Sequence, residues 1–176
     1  MGSYGGKELA SALRTVRKNT VQIAEDIPES KYAFVPAPGT RSVADLLKHI
    51  TFAPWLFEDM HKDKKVSTLQ GYDFPAFMQR AGAYEKSVRT KEEIVAALKG
   101  DGERFASWVE TLPPAFLMET YTDPTGANPK TRFESLHSAK EHEMHHRGQL
   151  MLIERLIGIT PHLTRLMEER MRARAS

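Results

Sequence analysis

Apolar side chains recur at the spacing of an α-helix in four segments of this chain. Between residues 7 and 27 the stripe steps by four, three, four, three and four positions, through Leu9, Leu13, Val16, Thr20, Ile23 and Ile27. Steps of this kind put every member on one face of a helix. The other three segments begin near Ser42, Thr90 and Thr131, each followed three positions later by an acidic residue, as at a capped helix N-terminus. The sequence therefore predicts four long amphipathic helices.

Four such helices with turn-rich connections predict an all-α four-helix bundle with short extra helices. A length of 176 residues suits one domain, and we expect residues 1–176 to form it. Asp73 is expected to cap one short helix, and no two segments predict a convincing strand pair. Pro54 should bend the second long helix. Residues 100–102, which include two glycines, should bend or fray the third long helix. Each glycine lowers the stability of the helix by about 1 kcal/mol.

The composition excludes several classes of protein. The chain has no cysteine, which removes disulfides, thiolate ligands and a cysteine nucleophile, and leaves His, Asp and Glu as metal ligands. No apolar run approaches the roughly 20 residues that cross a bilayer, and residues 1–6 lack the apolar segment of a secretory signal. A net charge of +2 is too small to indicate nucleic acid. We therefore expect a cytoplasmic protein without a membrane or nucleic acid partner.

The segment with the clearest chemistry lies in the fourth helix, where residues 142–146 read His-Glu-Met-His-His. His142 and His146 are four positions apart, so their rings lie one turn apart on the same face. That face also carries Ala139, Leu150 and Ile153, so both imidazoles point toward the apolar core. Two inward imidazoles at this spacing need a common partner, usually a metal ion; a hydrogen-bonded polar layer is the alternative.

A third ligand should come from a facing helix, and His49 on the second helix is the best placed. Three histidines with a vacant fourth position are typical of a catalytic rather than a structural zinc-type site. Asp45 lies one turn before His49. It would either orient the His49 imidazole or serve as a negative charge at the helix N-terminus.

The residues around these histidines have open interpretations. Glu143 lies about 60° from the centre of the inward face, and would accept a hydrogen bond from a ligand, act as a general base, or be a plain surface or boundary residue. His145 would support the ligands or pack against another helix. His61, inside a charged run, is expected at the surface. An outward apolar strip on the fourth helix favours a homodimer; it consists of Met144, Gly148 and Met151.

Four stretches resemble the DinB/YfiT-like family of metalloenzymes: residues 27–32, 36–43, 45–50 and 141–150. The last, which reads Glu-His-Glu-Met-His-His-Arg-Gly-Gln-Leu, is the most specific. The resemblance implies a bundle of up-down-down-up topology, dimers in many members, and a divalent metal, nickel or zinc-like, on His49, His142 and His146. Members of this family include thiol-dependent S-transferases and a mycothiol-dependent isomerase.

Together with the three histidines, this resemblance implies a divalent-metal-binding enzyme of thiol-transferase type, in which the metal activates a small thiol or water for attack on a small electrophilic substrate. Because the chain has no cysteine, the thiol would be a low-molecular-weight cofactor. One alternative is a non-enzymatic metal-binding or stress-related bundle. Another is a hydrolase of the His-Glu-x-x-His type, which residues 142–146 fit formally. The longer metzincin pattern fails, because Gln149 and Leu152 stand where it requires Gly and His.

Overall fold

The computed structural model describes residues 4–175. In chain order the helices are α1 (Gly6–Asp26), α2 (Val43–Phe57), α3 (Phe74–Lys86), α4 (Lys91–Glu110), α5 (Pro114–Met118), α6 (Arg132–Leu156) and α7 (His162–Ala175). A 3-10 turn, Glu29–Lys31, follows α1, and a π-helical turn, Glu58–Asp63, continues α2. Residues 1–3, part of the N-terminal segment considered above, lie outside the described residues. Within residues 4–175 no helix is both long and apolar enough to cross a membrane.

The four long helices form the bundle, because α1 and α2 each pack against both α4 and α6. Arg14 pairs with Glu103, whereas the later Glu25 pairs with the earlier Lys99, so α4 runs antiparallel to α1.

The direction of the other two long helices follows from their contacts with α6. Leu9 packs in one cluster with Leu136, and the later Arg17 pairs with the later Glu143, so α6 runs parallel to α1. In contrast, His49 contacts His142, whereas His61 just beyond α2 contacts the earlier Ser135. Helix α2 is therefore antiparallel to α6, and the predicted up-down-down-up four-helix bundle is confirmed.

The predicted helix starts are confirmed by hydrogen bonds. Thr90 and Thr131 each accept a bond from the backbone N–H three residues on, and the glutamate at that position accepts one from the threonine backbone. Ser42 accepts from the N–H of Asp45, and Asp73 accepts from that of Ala76. Local chemistry thus sets where each of these helices begins.

Three details differ from the expectation. Helix α4 runs from Lys91 to Glu110 without fraying at its two glycines. The segment before α6 contains a strand pair after all: β1 (Thr120–Tyr121) pairs antiparallel with β2 (Lys130–Thr131). Pro54 remains inside α2, and the irregularity falls further on, in the π-helical turn.

A buried polar layer divides the core between two apolar clusters. Arg17 Nε donates to Glu143 Oε1 at 2.8 Å, and Arg17 Nη2 donates to Glu143 Oε2 at 3.0 Å. The guanidinium also donates to the carbonyl oxygens of Leu98 and Ile50. Pro54 has no N–H to offer the Ile50 carbonyl four residues earlier, so Arg17 supplies the missing donor. One side chain thereby joins α1 to α2, α4 and α6.

Candidate metal centre

Three histidine rings from two helices converge on one side of the polar layer. The Nε2 atom of His142 lies 3.0 Å from Nε2 of His49 and 3.1 Å from Nε2 of His146. Each ring offers one nitrogen as a metal ligand, and these three nitrogens all lie within 4.8 Å of one another. The ring from α2 therefore meets the pair on α6, in the arrangement expected from the sequence.

The spacing and the donor atoms fit a divalent transition-metal ion. At a metal–nitrogen distance of about 2.1 Å, nitrogens separated by 3.0 and 3.1 Å subtend roughly 90–95°, which leaves coordination positions open. The Nε2 atom of His142 faces the Nε2 atoms of both His49 and His146. Without a cation, a proton on His142 Nε2 can form a hydrogen bond with only one of these two atoms. The Nδ1 atoms of His49 and His142 are also buried, and no atom of residues 4–175 forms a hydrogen bond with them. The protein alone therefore satisfies this cluster incompletely.

Burial keeps these three rings uncharged. It lowers the pKa of His49 to about 4, with a further contribution from the charge of Arg41. Burial, followed by the neighbouring His146, lowers the pKa of His142 to about 4. Burial also lowers the pKa of His146, although its hydrogen bond to Gln149 opposes the change. Neutral imidazoles are the protonation state that a metal requires.

Gln149 orients one of the rings. Its Oε1 atom lies 2.9 Å from His146 Nδ1, and an amide oxygen only accepts, so the proton is assigned to Nδ1 and Nε2 keeps its lone pair. The Nε2 atom of Gln149 lies 3.1 Å from Nε2 of the exposed His145. His145 thus contacts the site through Gln149, in keeping with a supporting role. The spacing of three residues between His146 and Gln149 was visible in the sequence, but sequence reasoning missed it.

Glu85 of α3, rather than Asp45, faces the ring of His49. The Glu85 Oε2 atom lies 3.6 Å from His49 Nδ1. Asp45 accepts a hydrogen bond from the Ser42 hydroxyl and pairs with Lys48, so it has the helix N-terminal role that was its alternative interpretation. No local pattern could have revealed Glu85, because only the packing of α3 on α2 brings it to the site.

Glu143 is neither at the surface nor free to act as a base. It is 5 % exposed, and both carboxylate oxygens accept hydrogen bonds from Arg17. The surface interpretation of Glu143 is therefore wrong. The two bonds to the guanidinium orient the carboxylate toward α1 and occupy both of its oxygens, away from a base role.

The expectation that His61 lies at the surface is also wrong. Its ring is fully buried, with Nε2 2.7 Å from the Ser135 hydroxyl oxygen and Nδ1 2.9 Å from Nη1 of Arg132. Arginine only donates, so His61 Nδ1 accepts and Nε2–H donates to Ser135. This tautomer cannot take a proton from the serine hydroxyl. The cluster is therefore a structural link between the π-helical turn and α6.

A cavity of about 790 Å³ opens beside the three histidines. His146 and Gln149 lie in its wall, and Arg41, Asp45 and Glu85 bring charge to it. The remaining wall is largely apolar and includes Leu46, Leu152, Ile153 and Leu156. Its size is within the range of sites that bind small molecules.

Comparison with known proteins identifies the family. The model of the DinB superfamily matches residues 12–150, a range that contains all three histidines. The chain belongs to the DinB superfamily. The uncharacterized protein YjoA of Bacillus subtilis is 27 % identical over 155 residues, which cover 87 % of this chain and 91 % of YjoA.

Solved structures of similar proteins share the fold. The DinB-like YjoA of Bacillus subtilis matches with a TM-score of 0.65 and 24 % identity, over 87 % of this chain and 93 % of that one. YfiT of the same organism, described as a probable metal-dependent hydrolase with an unusual four-helix bundle topology, has a TM-score of 0.69 and 15 % identity over 91 % of each chain. The colibactin self-resistance protein ClbS, in complex with dsDNA, has a TM-score of 0.64 and 16 % identity over 88 % of this chain and 98 % of that one.

Proposed function

We propose that His49, His142 and His146 bind one divalent metal ion, nickel or zinc, and that the protein is a metal-dependent enzyme of thiol-transferase type. The observation that carries the proposal is the convergence of three uncharged imidazoles, one of which, His146, lies in the wall of a cavity of small-molecule size. A metal on these nitrogens would supply Lewis acidity, which lowers the pKa of a bound thiol or water.

The protein contributes orientation and a partly dry environment. Gln149 holds the His146 tautomer that leaves Nε2 unprotonated, and Glu85 places a negative charge beside His49. Such partners strengthen ligand basicity in metal sites. The apolar wall of the cavity would exclude water from one side of an electrophilic substrate.

A small thiol is the favoured nucleophile, and water is the second candidate. The chain has no cysteine, so a thiol would enter the cavity as a cofactor. Hydrolysis by water has the support of the likeness to YfiT, itself described as a probable metal-dependent hydrolase. A peptidase of the His-Glu-x-x-His type is disfavoured, because the glutamate of that pattern, Glu143, is engaged by Arg17.

Metal content decides the first part of the proposal. Untagged protein should contain about one equivalent of nickel or zinc per chain by elemental analysis, because three imidazoles form a near-complete ligand set. His49→Ala should lose this metal. His137→Ala is the matched control, since His137 lies on α6 outside the histidine cluster and pairs with its own helix neighbour Glu141. Equal metal content in wild type and His49→Ala would reject the site.

Turnover decides between an enzyme and a non-enzymatic metal-binding or stress-related bundle. Low-molecular-weight thiols are offered to the metal-loaded protein with a generic electrophile, and thiol consumption is followed against His146→Ala. Faster consumption by the wild type supports the transferase. Equal rates in both proteins would reject it, and metal-dependent hydrolysis without thiol would favour the second candidate.

We also propose that the protein forms a homodimer through the outward strip of α6. Met144 is 41 % exposed, and a side chain added at Gly148 would contact none of the described residues within 4 Å. Met151 is partly buried against the core, so the part of the strip formed by Met144 and Gly148 is the part open to a second copy. Light scattering should give twice the chain mass for the wild type and the single mass for Met144→Glu. A monomeric wild type would contradict this.

The location and the nucleic acid question remain predictions. We propose a cytoplasmic location, on the basis of the cysteine-free composition. The exclusion of nucleic acid is not supported by the comparisons, because ClbS, a protein of the same fold, is in complex with dsDNA. Retention of this protein on dsDNA that persists at moderate salt would refute the exclusion, whereas retention lost at that salt would mark nonspecific contact.

A further inference from the structure

The cavity beside the three histidines has an apolar wall and a charged end. Leu46 and Ile153 are buried, and Leu152 and Leu156 extend the apolar wall outward with more than half of each side chain exposed. The charged end is built from the segment before α2 and from the end of α3, which contribute Arg41 and Glu85. A ligand that fills the cavity therefore needs an apolar body and one polar terminus.

Arg41 is the only cationic side chain in the cavity wall among residues 4–175. Its Nε donates to Glu85 Oε1 at 2.7 Å, whereas the contact from Nη2 to Glu85 Oε2 is 3.5 Å, at the limit of a hydrogen bond. A guanidinium has five donors in a planar fork, so Glu85 occupies only part of it. The Arg41 side chain is 41 % exposed, which leaves the remaining donors accessible to a ligand.

The two carboxylates of the cavity wall are already neutralised. Asp45 pairs with Lys48 at 3.0 Å, and Glu85 pairs with Arg41. Glu85 also lies between Arg41 and the ring of His49, so the guanidinium is one carboxylate away from the histidine cluster. Each carboxylate of the wall therefore already has a cationic partner, and the donors of Arg41 that Glu85 leaves free are the groups that can meet an added anion.

We propose that the ligand of this cavity is a small, largely apolar molecule with a carboxylate, and that Arg41 binds the carboxylate. This inference rests on the proposed function, in which the same cavity holds the substrate. The planar fork of Arg41 matches a carboxylate, the apolar wall takes the hydrocarbon part, and Glu85, which also lies near His49, holds the guanidinium in the cavity wall. Arg41 is thereby a specificity-determining residue.

Binding to metal-free protein tests the inference without the metal. The probes are hexanoate, hexanol and hexylamine, which share a six-carbon body and differ in charge, and binding is followed by NMR with the Arg41 Nε–H signal as a local reporter. We expect hexanoate to bind about tenfold more tightly than the other two, the effect of charge-assisted hydrogen bonds to a partly exposed guanidinium.

Two variants complete the test. Arg41→Gln should reduce hexanoate binding to the level of hexanol and leave hexanol binding unchanged, whereas Arg41→Lys should keep part of the preference. Arg80→Gln is the matched control, because Arg80 is an exposed arginine of α3 outside this cavity wall, and it should behave as the wild type. Equal binding of hexanoate and hexanol by the wild type, or a hexanoate preference that persists in Arg41→Gln, would overturn the inference.

A parallel titration of the same protein with Co²⁺ separates this inference from the proposed function. Failure to bind Co²⁺ at the histidines would count against the metal enzyme and leave the hexanoate result valid. Binding of Co²⁺ without a carboxylate preference would keep the metal site and refute the assigned ligand class.

Discussion

Replacement of Gly102 by alanine tests the buried polar layer that joins the four long helices. A β-carbon at this position would lie 2.6 Å from Cγ and 2.9 Å from Nη1 of Arg17. Real β-carbons do not approach other atoms so closely, so Arg17 must move. It cannot move freely, because its guanidinium is bound by Glu143 and by the carbonyl oxygens of Leu98 and Ile50.

The expected loss of stability follows from two opposing effects. Alanine in place of glycine inside a helix stabilises by about 1 kcal/mol. Overpacking costs roughly 1–3 kcal/mol. If Arg17 leaves its site, the uncompensated carboxylate of Glu143 raises the cost to roughly 3–5 kcal/mol. After the helix gain is subtracted, Gly102→Ala should lose roughly 0–2 kcal/mol if Arg17 shifts within its site and roughly 2–4 kcal/mol if Arg17 leaves it.

Gly100→Ala is a matched control two residues away on the same helix. A β-carbon at Gly100 would meet no atom of residues 4–175 within 4 Å, so only the helix propensity changes and the protein should gain about 0.5–1 kcal/mol. Urea unfolding of both variants gives the two free energies of unfolding. We expect the free energy of unfolding to fall for Gly102→Ala and to rise for Gly100→Ala. Stabilisation of both variants by the same amount would refute the proposed contact between α4 and Arg17.

The remaining predictions concern single side chains. Gln149→Leu should weaken metal binding about 10–100-fold, measured by calorimetry, because His146 loses the acceptor that sets its tautomer; unchanged affinity would exclude that role. His61→Ala should lower the free energy of unfolding in urea by roughly 2–4 kcal/mol, since Arg132 loses a buried partner; a loss within error would contradict the structural link. Burial, with a smaller contribution from Asp26, raises the pKa of Glu154 from 4.5 to about 7. The native state therefore holds this proton more tightly than the unfolded state, and stability falls as the pH rises from about 4.5 to above 7, by roughly 2–3 kcal/mol from this group. Glu154→Gln should be more stable than wild type in thermal melts at pH 8 and similar at pH 4.5, and an equal difference at both values would refute the assignment.

The helices and two of the three imidazole positions were determined by the sequence itself. Capping pairs such as Thr90 with Glu93 and Thr131 with Glu134 act over three residues, so their effect is readable without the fold. The spacing of His142 and His146 is local in the same way, because one helix places both rings on one face.

Tertiary packing decided the environment of the side chains that the sequence misplaced. Glu143 lies at the edge of the inward face by helical geometry alone, and it is buried because Arg17 of α1 meets it there. His61 sits in a charged run, yet the π-helical turn and its partners on α6 bury it. Glu85 reaches His49 only through the packing of α3 on α2. The periodicity of a segment indicates which face of a helix turns inward. The partner that a polar group contacts on that face depends on residues far away in the chain. Whether that group loses its contact with water is therefore decided only when the helices pack.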